Sequence, residues 1–204
     1  MGMPIEIELP AADVDAHKAI EDAFAYLVSV DNRFSTYKED SEISRISRGE
    51  LTLAAASPEM KEVFQIAEKT KQETHGYFDI RRPDGSVDPS GIVKGWAIRN
   101  TAELIRKAGY KNFFVNAGGD ITMGGKNAEG NEWSVGIKNP FNQSEIVKVV
   151  YPKGKGIATS GSYIRGDHIY NPHAPDEKLD DIVSITIIGP DVLEADRYAT
   201  AAFA

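Results

Sequence analysis

One run of the sequence, residues 88–120, constrains the fold more than any other, because it combines two glycine-bearing loops with a helical and a strand pattern. Turn residues fill positions 88–91, and Gly95 follows Lys94, so we expect a loop in which a charged amine stands beside accessible main-chain amides. That combination suits an anion. From Ala97 onward, small and apolar residues recur on two adjoining stripes, which predicts a helix that Gly109 ends. The stripes contain Ala97, Thr101, Leu104 and Ala108, and Ile98, Ala102 and Ile105.

A short buried strand is predicted immediately after this helix. Phe113, Phe114 and Val115 favour strands, and the run that follows reads Asn-Ala-Gly-Gly-Asp and ends at Asp120. The helix and the strand therefore form a rigid unit that brings the two glycine-bearing loops together. Lys94 in the first loop can then contact a phosphate or form an ion pair with Asp120 in the second.

The first part of the chain predicts a strand followed by helices. Residues 1–9 alternate apolar and acidic positions, as a half-buried strand does, and an amphipathic helix with Asp13 as its N-cap follows. A second helix is expected to begin at Ser57 and Pro58 and to end near Gly76. Between the two, residues 32–48 form a polar loop with room for a short helix.

Strand patterns dominate the second half of the chain. Residues 121–130 are interpreted as a glycine-rich turn, and residues 133–137 and 146–150 as strands joined by a turn at 139–141. Residues 182–188 give a further strand, and Asp191, with Glu194 three residues later, predicts the start of a last helix. Mixed hairpins with interspersed helices predict an α+β fold with a largely antiparallel sheet, and we expect a single domain over residues 1–204.

Composition excludes several classes of protein. The 204 residues carry a formal net charge of −8, so a nucleic-acid-binding surface is not expected, and a pyrophosphate ligand would need a cation beside it. The absence of cysteine excludes a disulfide framework, a thiol nucleophile and a zinc-thiolate site. No apolar run approaches the roughly 20 residues of a membrane-spanning helix. With no signal-peptide pattern at the start, we expect a cytoplasmic protein, unless an export or anchoring segment lies outside this sequence.

Asp196 and Thr200 are candidates for a metal site. They are four residues apart in the predicted last helix, so a carboxylate and a hydroxyl lie on one face, one turn apart. Hard oxygen ligands at this spacing suit Mg²⁺, which keeps waters and phosphates in its other positions. The spacing is also common by chance, and a solvated aspartate beside a threonine packed on the preceding turn is the simpler interpretation.

His168 is the strongest candidate for a general base among the four histidines, because it lies in a polar segment between a glycine and an Asn-Pro turn. A surface or structural role is the ordinary alternative for any one histidine. Thr159, Ser160 and Gly161 resemble part of a nucleophile motif. Hydroxyls at the end of a strand more often contact a ligand or backbone groups, so we assign these three residues to binding.

These motifs together resemble the signature of the ApbE family, the FAD:protein FMN transferases. That family favours Asp-x-Gly-Gly-Ile-Ala-Lys-Gly, then a helix, then Asn-Ala-Gly-Gly-Asp, which is similar to residues 88–120. The runs ATSGSY, DHIYNP and EADRYATAAF resemble later blocks of the family, and MGMPIEIEL, STYKEDSEISRIS and GYFDI resemble earlier ones. The resemblance covers nearly the whole chain and implies a duplicated sheet-and-helix core related to the tunnelling fold.

The resemblance also implies a reaction, the Mg²⁺-dependent transfer of FMN from FAD to a Ser or Thr hydroxyl of a partner flavoprotein, with release of AMP. By position in the family blocks, the metal ligands would be Asp196, Thr200 and the main-chain carbonyl of Gly91. His168 would be the catalytic base.

Three further residues are implied to position the flavin cofactor, namely Tyr37, Asp79 and Asp120. For Tyr37 the alternative is an ordinary connecting loop. For Asp79 the alternative is a solvated acid beside a buried aromatic residue. Neither alternative is excluded by the sequence.

The chain departs from the family pattern in three places. Ser90 replaces the first glycine of the family pair, and residues 171–175 read Asn-Pro-His-Ala-Pro where the family commonly has Asp-Pro-x-Thr-Gly. The sequence stops at Ala204 inside the periodic part of the last helix, whereas family members usually continue, so we expect a C-terminal part of the domain to be missing. Two alternative functions stay open, a Mg²⁺-dependent FAD pyrophosphatase that yields FMN and AMP, and a non-catalytic flavin-binding module.

Overall fold

The chain forms seven strands and five α-helices across the residues that the computed structural model describes, which are 2–11, 13–162, 169–175, 177–179 and 181–204. The strands are β1 (Ile5–Glu8), β2 (Phe113–Ala117), β3 (Asp120–Gly124), β4 (Val135–Asn139), β5 (Asn142–Val150), β6 (Gly156–Gly161) and β7 (Ser184–Gly189). The helices are α1 (Val14–Phe34), α2 (Glu42–Ser47), α3 (Pro58–Glu73), α4 (Ser90–Lys107) and α5 (Val192–Phe203), with one 3₁₀ turn (Leu53–Ala55). The predicted α+β class is confirmed, and every described strand pair is antiparallel.

The main sheet has two differently covered faces. Its strand order is β1-β2-β3-β6-β7, while β4 and β5 form a separate hairpin joined by the turn predicted at 139–141. Trp133 and the first residue of β4 pack on one face: Trp133 stacks on Phe114 with 5.3 Å between ring centroids, and Val135 belongs to the same apolar cluster as Ile121. Because side chains alternate along a strand, Asp120, the neighbour of Ile121 in β3, points to the opposite face, which carries the helices.

Three predicted helix starts are confirmed by side-chain caps. The carboxylate of Asp13 accepts a hydrogen bond from the Ala16 amide at 2.7 Å, the Ser57 hydroxyl accepts one from Met60 at 3.2 Å, and the Asp191 carboxylate accepts one from Glu194 at 3.0 Å. Each bond satisfies an amide of the first turn that has no partner inside the helix. The short helix allowed for in the loop at 32–48 is α2.

The predicted start of the central helix is wrong, because α4 begins at Ser90 and not at Ala97. Gly91 and Gly95 are inside the helix. A Cβ atom at Gly95 would lie 2.8 Å from the Cβ of Asp196 and 2.9 Å from the Val192 carbonyl oxygen, both in α5. Glycine at this position therefore permits two helices to approach closely. The predicted stripes are buried except for Leu104 and Ala108, which are exposed.

The predicted glycine-rich turn at 121–130 is also wrong in its first part, which is the buried strand β3. β2 and β3 form a hairpin in which Ala117 pairs with Asp120, so Gly118 and Gly119 are the two residues of its turn. Their φ angles are +60° and +97°, as the tight turns that suit the twist of a hairpin require. The Asn-Ala-Gly-Gly-Asp motif is thus a strand end, a tight turn and the start of the next strand.

Helix α4 lies at the centre of the molecule. It contacts α1, α3 and α5 as well as β2 and β3, and its Trp96, Ile98 and Ile105 side chains are almost completely buried. This position brings the first turn of α4 beside α5 and the hairpin turn between β2 and β3. Within the described part of the chain, none of the helices has the length and apolar character needed to cross a membrane.

Candidate functional site

A cleft opens where the first turns of α4, the C-terminal half of α5 and the end of β6 meet the segment that follows α3. Its empty volume, counted to include space open to solvent, is about 990 Å³. Eight of the predicted site residues line it, namely Asp79, Gly91, Lys94, Thr159, Ser160, Gly161, Asp196 and Thr200. The structure therefore brings together residues that the sequence separates by more than half the chain.

A buried charge cluster forms one side of this cleft. The Asp120 and Asp196 side chains are 0% and 3% exposed, and Lys94 lies between them. The Lys94 Nζ atom is 2.8 Å from Asp120 Oδ2 and 3.7 Å from Asp196 Oδ1. The ion pair between Lys94 and Asp120, one of the two predicted roles for this lysine, is thus present. With two carboxylates and one ammonium group, the fully ionised cluster has a net charge of −1.

Main-chain amides hold the two carboxylates in place. The Thr159 amide donates to Asp120 Oδ1 at 3.1 Å, and the Gly95 amide donates to Asp196 Oδ2 at 2.8 Å. The prediction that an accessible amide beside Lys94 would bind an external anion is therefore wrong for Gly95, whose amide is buried against an internal carboxylate. The close approach of α4 to α5 makes this bond possible.

The environment of Asp196 favours an additional positive charge. Burial raises the pKa of the Asp196 carboxyl well above its ordinary value, Lys94 acts in the opposite direction, and the neighbouring Asp120 carboxylate raises it further. A raised carboxyl pKa means that the site binds a proton more readily than a free aspartate does. A bound metal cation would satisfy the same electrostatic demand.

The three predicted metal ligands lie next to one another. Asp196 and Thr200 are one turn apart in α5, and a Cβ atom at Gly91 would lie 3.3 Å from Thr200 Oγ1. Within the described ranges, no group of three or more His, Cys, Asp or Glu side chains lies close enough together to hold a metal ion. The available donors are instead a buried carboxylate, a hydroxyl and main-chain carbonyls. These hard oxygen donors beside a net negative charge fit Mg²⁺.

The other predicted binding residues occupy the walls of the cleft. Asp79 forms an ion pair with Lys71 at 2.6 Å, and its Oδ1 atom accepts the Arg81 amide at 2.9 Å. The Thr159 hydroxyl is 2.9 Å from the Thr186 hydroxyl of the neighbouring strand. Both contacts orient the side chains at the edge of the cleft.

Of the three remaining predicted residues, Asp120 is fully buried in the charge cluster described above. The side chain of Tyr37 is 97% exposed and borders an adjoining polar groove, which shares Arg82 and Asp88 with the cleft. His168 lies outside the residues that the structure describes, so its predicted role as a base stays a prediction.

The cleft lining also includes residues that were not predicted as site residues, among them Tyr77, Arg82 and Tyr170. Arg82 forms an ion pair with Asp88, just before the first turn of α4. Tyr77 belongs to the GYFDI run and Tyr170 to the DHIYNP run, so position within those motifs was the available signal. Arg82 carried no such signal, because its contact with Asp88 depends on a turn of the backbone.

The fold and the site define a class, an α+β protein with a buried, net-negative carboxylate cluster beside an open cleft. The sequence model of the ApbE family matches residues 1–82 and 80–204, which together span the chain. This chain therefore belongs to the ApbE family, as its motifs predicted.

Curated relatives carry the name FAD:protein FMN transferase. The protein of Salmonella typhimurium is 33% identical over 135 residues, which cover 62% of this chain and 39% of the relative. The protein of Escherichia coli K12 is 33% identical over 138 residues, again with 39% of the relative covered. The protein of Haemophilus influenzae is 25% identical over an alignment that covers 96% of this chain and 74% of the relative. In the first two comparisons the match thus spans about two fifths of the relative.

Solved structures of the family share the fold. The flavin transferase ApbE of Vibrio cholerae superposes with a TM-score of 0.84 at 25% identity, covering 98% of this chain and 83% of that chain. The ApbE protein of Thermotoga maritima superposes with a TM-score of 0.86 at 21% identity, covering 99% and 83%. The predicted fold is therefore confirmed by structures as well as by sequence.

Proposed function

We propose that this chain transfers the FMN half of FAD to a Ser or Thr hydroxyl of a partner flavoprotein, with Mg²⁺ at the cleft. The observation that carries the proposal is the buried cluster of Asp120, Lys94 and Asp196, with Thr200 and Gly91 beside it, in a chain whose relatives are named FAD:protein FMN transferases. Such a cluster provides oxygen ligands and a surplus of negative charge at one point of the cleft wall.

The proposed reaction is a phosphoryl-type transfer. A phosphoester bond forms between the acceptor oxygen and the phosphorus of the FMN half, the pyrophosphate bond breaks, and AMP leaves with the bridging oxygen. The acceptor proton goes to a base, for which His168 is the candidate. Such a reaction depends mainly on alignment of the reacting groups and neutralisation of charge, and little on covalent help from the protein.

Each cleft residue has a proposed part in this reaction. Asp196, Thr200 and the Gly91 carbonyl would hold Mg²⁺, which when bound neutralises the pyrophosphate charge. Lys94 and Asp120 keep the Asp196 carboxylate in position through the contacts described above.

The residues at the end of β6 would contact the substrate beside the charge cluster. Ser160 and Gly161 border the cleft directly, and the Thr159 amide is already engaged by Asp120. Asp79 would contribute a fixed carboxylate near the flavin half, since its ion pair with Lys71 holds it in place. Tyr37, on the adjoining groove, would cover the flavin if its loop closes over the cleft.

The experiment combines the protein, FAD, Mg²⁺ and a candidate acceptor domain. Flavin fluorescence on the denatured acceptor band together with AMP in solution supports the proposal. AMP release with a dark acceptor band would indicate the FAD pyrophosphatase, and FAD binding without AMP would indicate a non-catalytic module. Asp196→Asn is expected to abolish both signals, and Asp22→Asn, on the exposed surface of α1, is the matched control that should keep them.

A further inference from the structure

Residues 169–175 form a short segment that packs against the turn that follows α3. The Nε2 atom of His173 is 3.0 Å from the main-chain oxygen of His75. The His173 ring also meets the Tyr77 ring edge-on, with 4.6 Å between centroids and 68° between planes. One side chain thus makes a polar and an aromatic contact with the same turn.

The turn has an unusual backbone that shapes it for this contact. His75 has a φ angle of +52° and Gly76 one of +88°, both in the left-handed region that residues with side chains rarely adopt. A Cβ atom at Gly76 would lie 3.3 Å from the His173 ring, so a side chain there would crowd the imidazole. Two consecutive left-handed residues turn the chain sharply where His173 meets the His75 carbonyl.

The hydrogen bond does not depend on the charge of the imidazole. A carbonyl oxygen only accepts hydrogen bonds, so Nε2 must carry the proton. The imidazolium form and one of the two neutral tautomers both have a proton on Nε2. The contact is therefore compatible with the imidazolium and with that neutral tautomer.

The segment that His173 anchors is itself folded. The His173 amide donates to the Asn171 side-chain oxygen at 2.9 Å, and the Ala174 amide donates to the Asn171 main-chain oxygen at 3.1 Å. Tyr170 and Pro172 from this segment line the cleft, as does Tyr77 from the turn. The contact made by His173 therefore joins two parts of one cleft wall.

We propose that His173 is a positioning residue for the transfer reaction. It fastens residues 169–175 to the turn after α3, and so fixes this wall of the cleft. This inference rests on the proposed function. It concerns residue 173, which falls on the variable position of the family's Asp-Pro-x-Thr-Gly run, so it describes a property of this protein.

The test compares two substitutions at one position. His173→Leu keeps an apolar side chain but removes the donor and the aromatic contact, whereas His173→Gln keeps an N–H donor at similar reach. A matched control is His17→Leu, at an exposed position in α1. We would measure amide hydrogen exchange in residues 169–175, the thermal midpoint, and the Kd for FAD in the presence of Mg²⁺ from the change in flavin fluorescence.

We expect His173→Leu to speed hydrogen exchange at the amides of residues 173 and 174. It should also weaken FAD binding about tenfold, because one hydrogen bond and one aromatic contact together contribute about that factor. His173→Gln should recover most of the affinity, and His17→Leu should match wild type. FAD affinity unchanged in His173→Leu, or lost equally in both variants, would overturn the proposal. Wild type that fails to bind FAD would contradict the proposed function instead, and exchange alone would then decide whether the anchor exists.

Discussion

Replacing Gly95 by alanine tests the central packing of the site. In an ordinary helix this change stabilises by about 1 kcal/mol, because alanine is the better helix former. Here the added methyl would lie 2.8 Å from Asp196 Cβ, 2.9 Å from Leu193 Cα and 2.9 Å from the Val192 carbonyl oxygen. Two of these three atoms belong to the α5 backbone, so α5 as a whole must move and a rotamer change cannot relieve the contact.

The size of the effect follows from these contacts. Ordinary van der Waals contact begins near 3.4 Å, so the two helices must separate by roughly half an ångström or more. Overpacking of a core costs about 1–3 kcal/mol, and the upper end applies because α5 is buried along almost its whole length. After the helix-propensity gain is subtracted, Gly95→Ala should destabilise by about 2 kcal/mol. In a chain of this size that lowers the Tm by about 4–8 °C.

Thermal unfolding followed by circular dichroism measures this shift, with Gly91→Ala as the matched control in the same helix. A methyl at Gly91 would meet Phe78 and Thr200 side-chain atoms at 3.0–3.3 Å, and side chains can yield. Its Tm should stay within about 2 °C of wild type, since the overpacking that remains is small. If Gly95→Ala unfolds at or above the wild-type Tm, or if the two variants behave alike, the close helix approach does not explain this glycine.

Three further predictions concern the charges around α5. Mg²⁺ at 100 times its Kd should stabilise wild type by about 2.7 kcal/mol and raise its Tm, whereas Asp196→Asn should show no Mg²⁺-dependent shift in a thermal scan. Lys94→Met leaves two buried carboxylates without their shared cation, so we expect a loss of about 3–5 kcal/mol in denaturant unfolding, and a loss below 1 kcal/mol would contradict the charge assignment. Arg197→Met removes a buried guanidinium that forms ion pairs with Glu194 and Glu73. Because both glutamates are about one third exposed, the expected loss in the free energy of unfolding is about 3 kcal/mol, again measured by denaturant unfolding.

The sequence predicted best where a single local interaction decides the structure. Asp13, Ser57 and Asp191 each cap the helix that follows, and a cap depends only on the next three residues. The same holds for Gly109, which has a φ angle of +98° and ends α4 as expected. These signals need no knowledge of the rest of the fold.

Glycine misled the prediction at Gly95 because glycine has more than one structural use. Gly95 was interpreted as a loop residue, yet it is helical and makes room for α5. Gly118 and Gly119 do form the predicted loop, but the sequence did not show that this loop is a tight two-residue hairpin turn. The sequence shows that a side chain is missing at these positions but does not show which neighbour requires its absence.

The site was only partly predictable for a related reason. The spacing of Asp196 and Thr200 placed them on one helical face, but their burial depends on α4 and β6 packing against that face. The Lys94 to Asp120 ion pair was one of two alternatives, and the second carboxylate within 4 Å of the same lysine was not foreseen. The three side chains come from distant segments that only the tertiary fold brings together. Before the structure, only the family resemblance supported their placement in one site.

The close contact between α4 and α5 links the stability of this fold to its proposed chemistry. α5 approaches α4 closely enough for the Gly95 amide to hold Asp196, yet that approach also buries a second carboxylate beside Asp120 with one lysine for both. Without a metal cation, the folded chain must either keep an unfavourable charge or bind a proton at this cluster, because burial and Asp120 raise the pKa of the Asp196 carboxyl. Mg²⁺ binding should offset that cost, so the affinity of the site and the stability of the fold should change together whenever the α4 to α5 distance changes. Gly95→Ala should accordingly reduce both the Tm and the Mg²⁺-dependent increase in Tm, whereas a substitution that weakens the fold far from this contact should reduce the Tm alone.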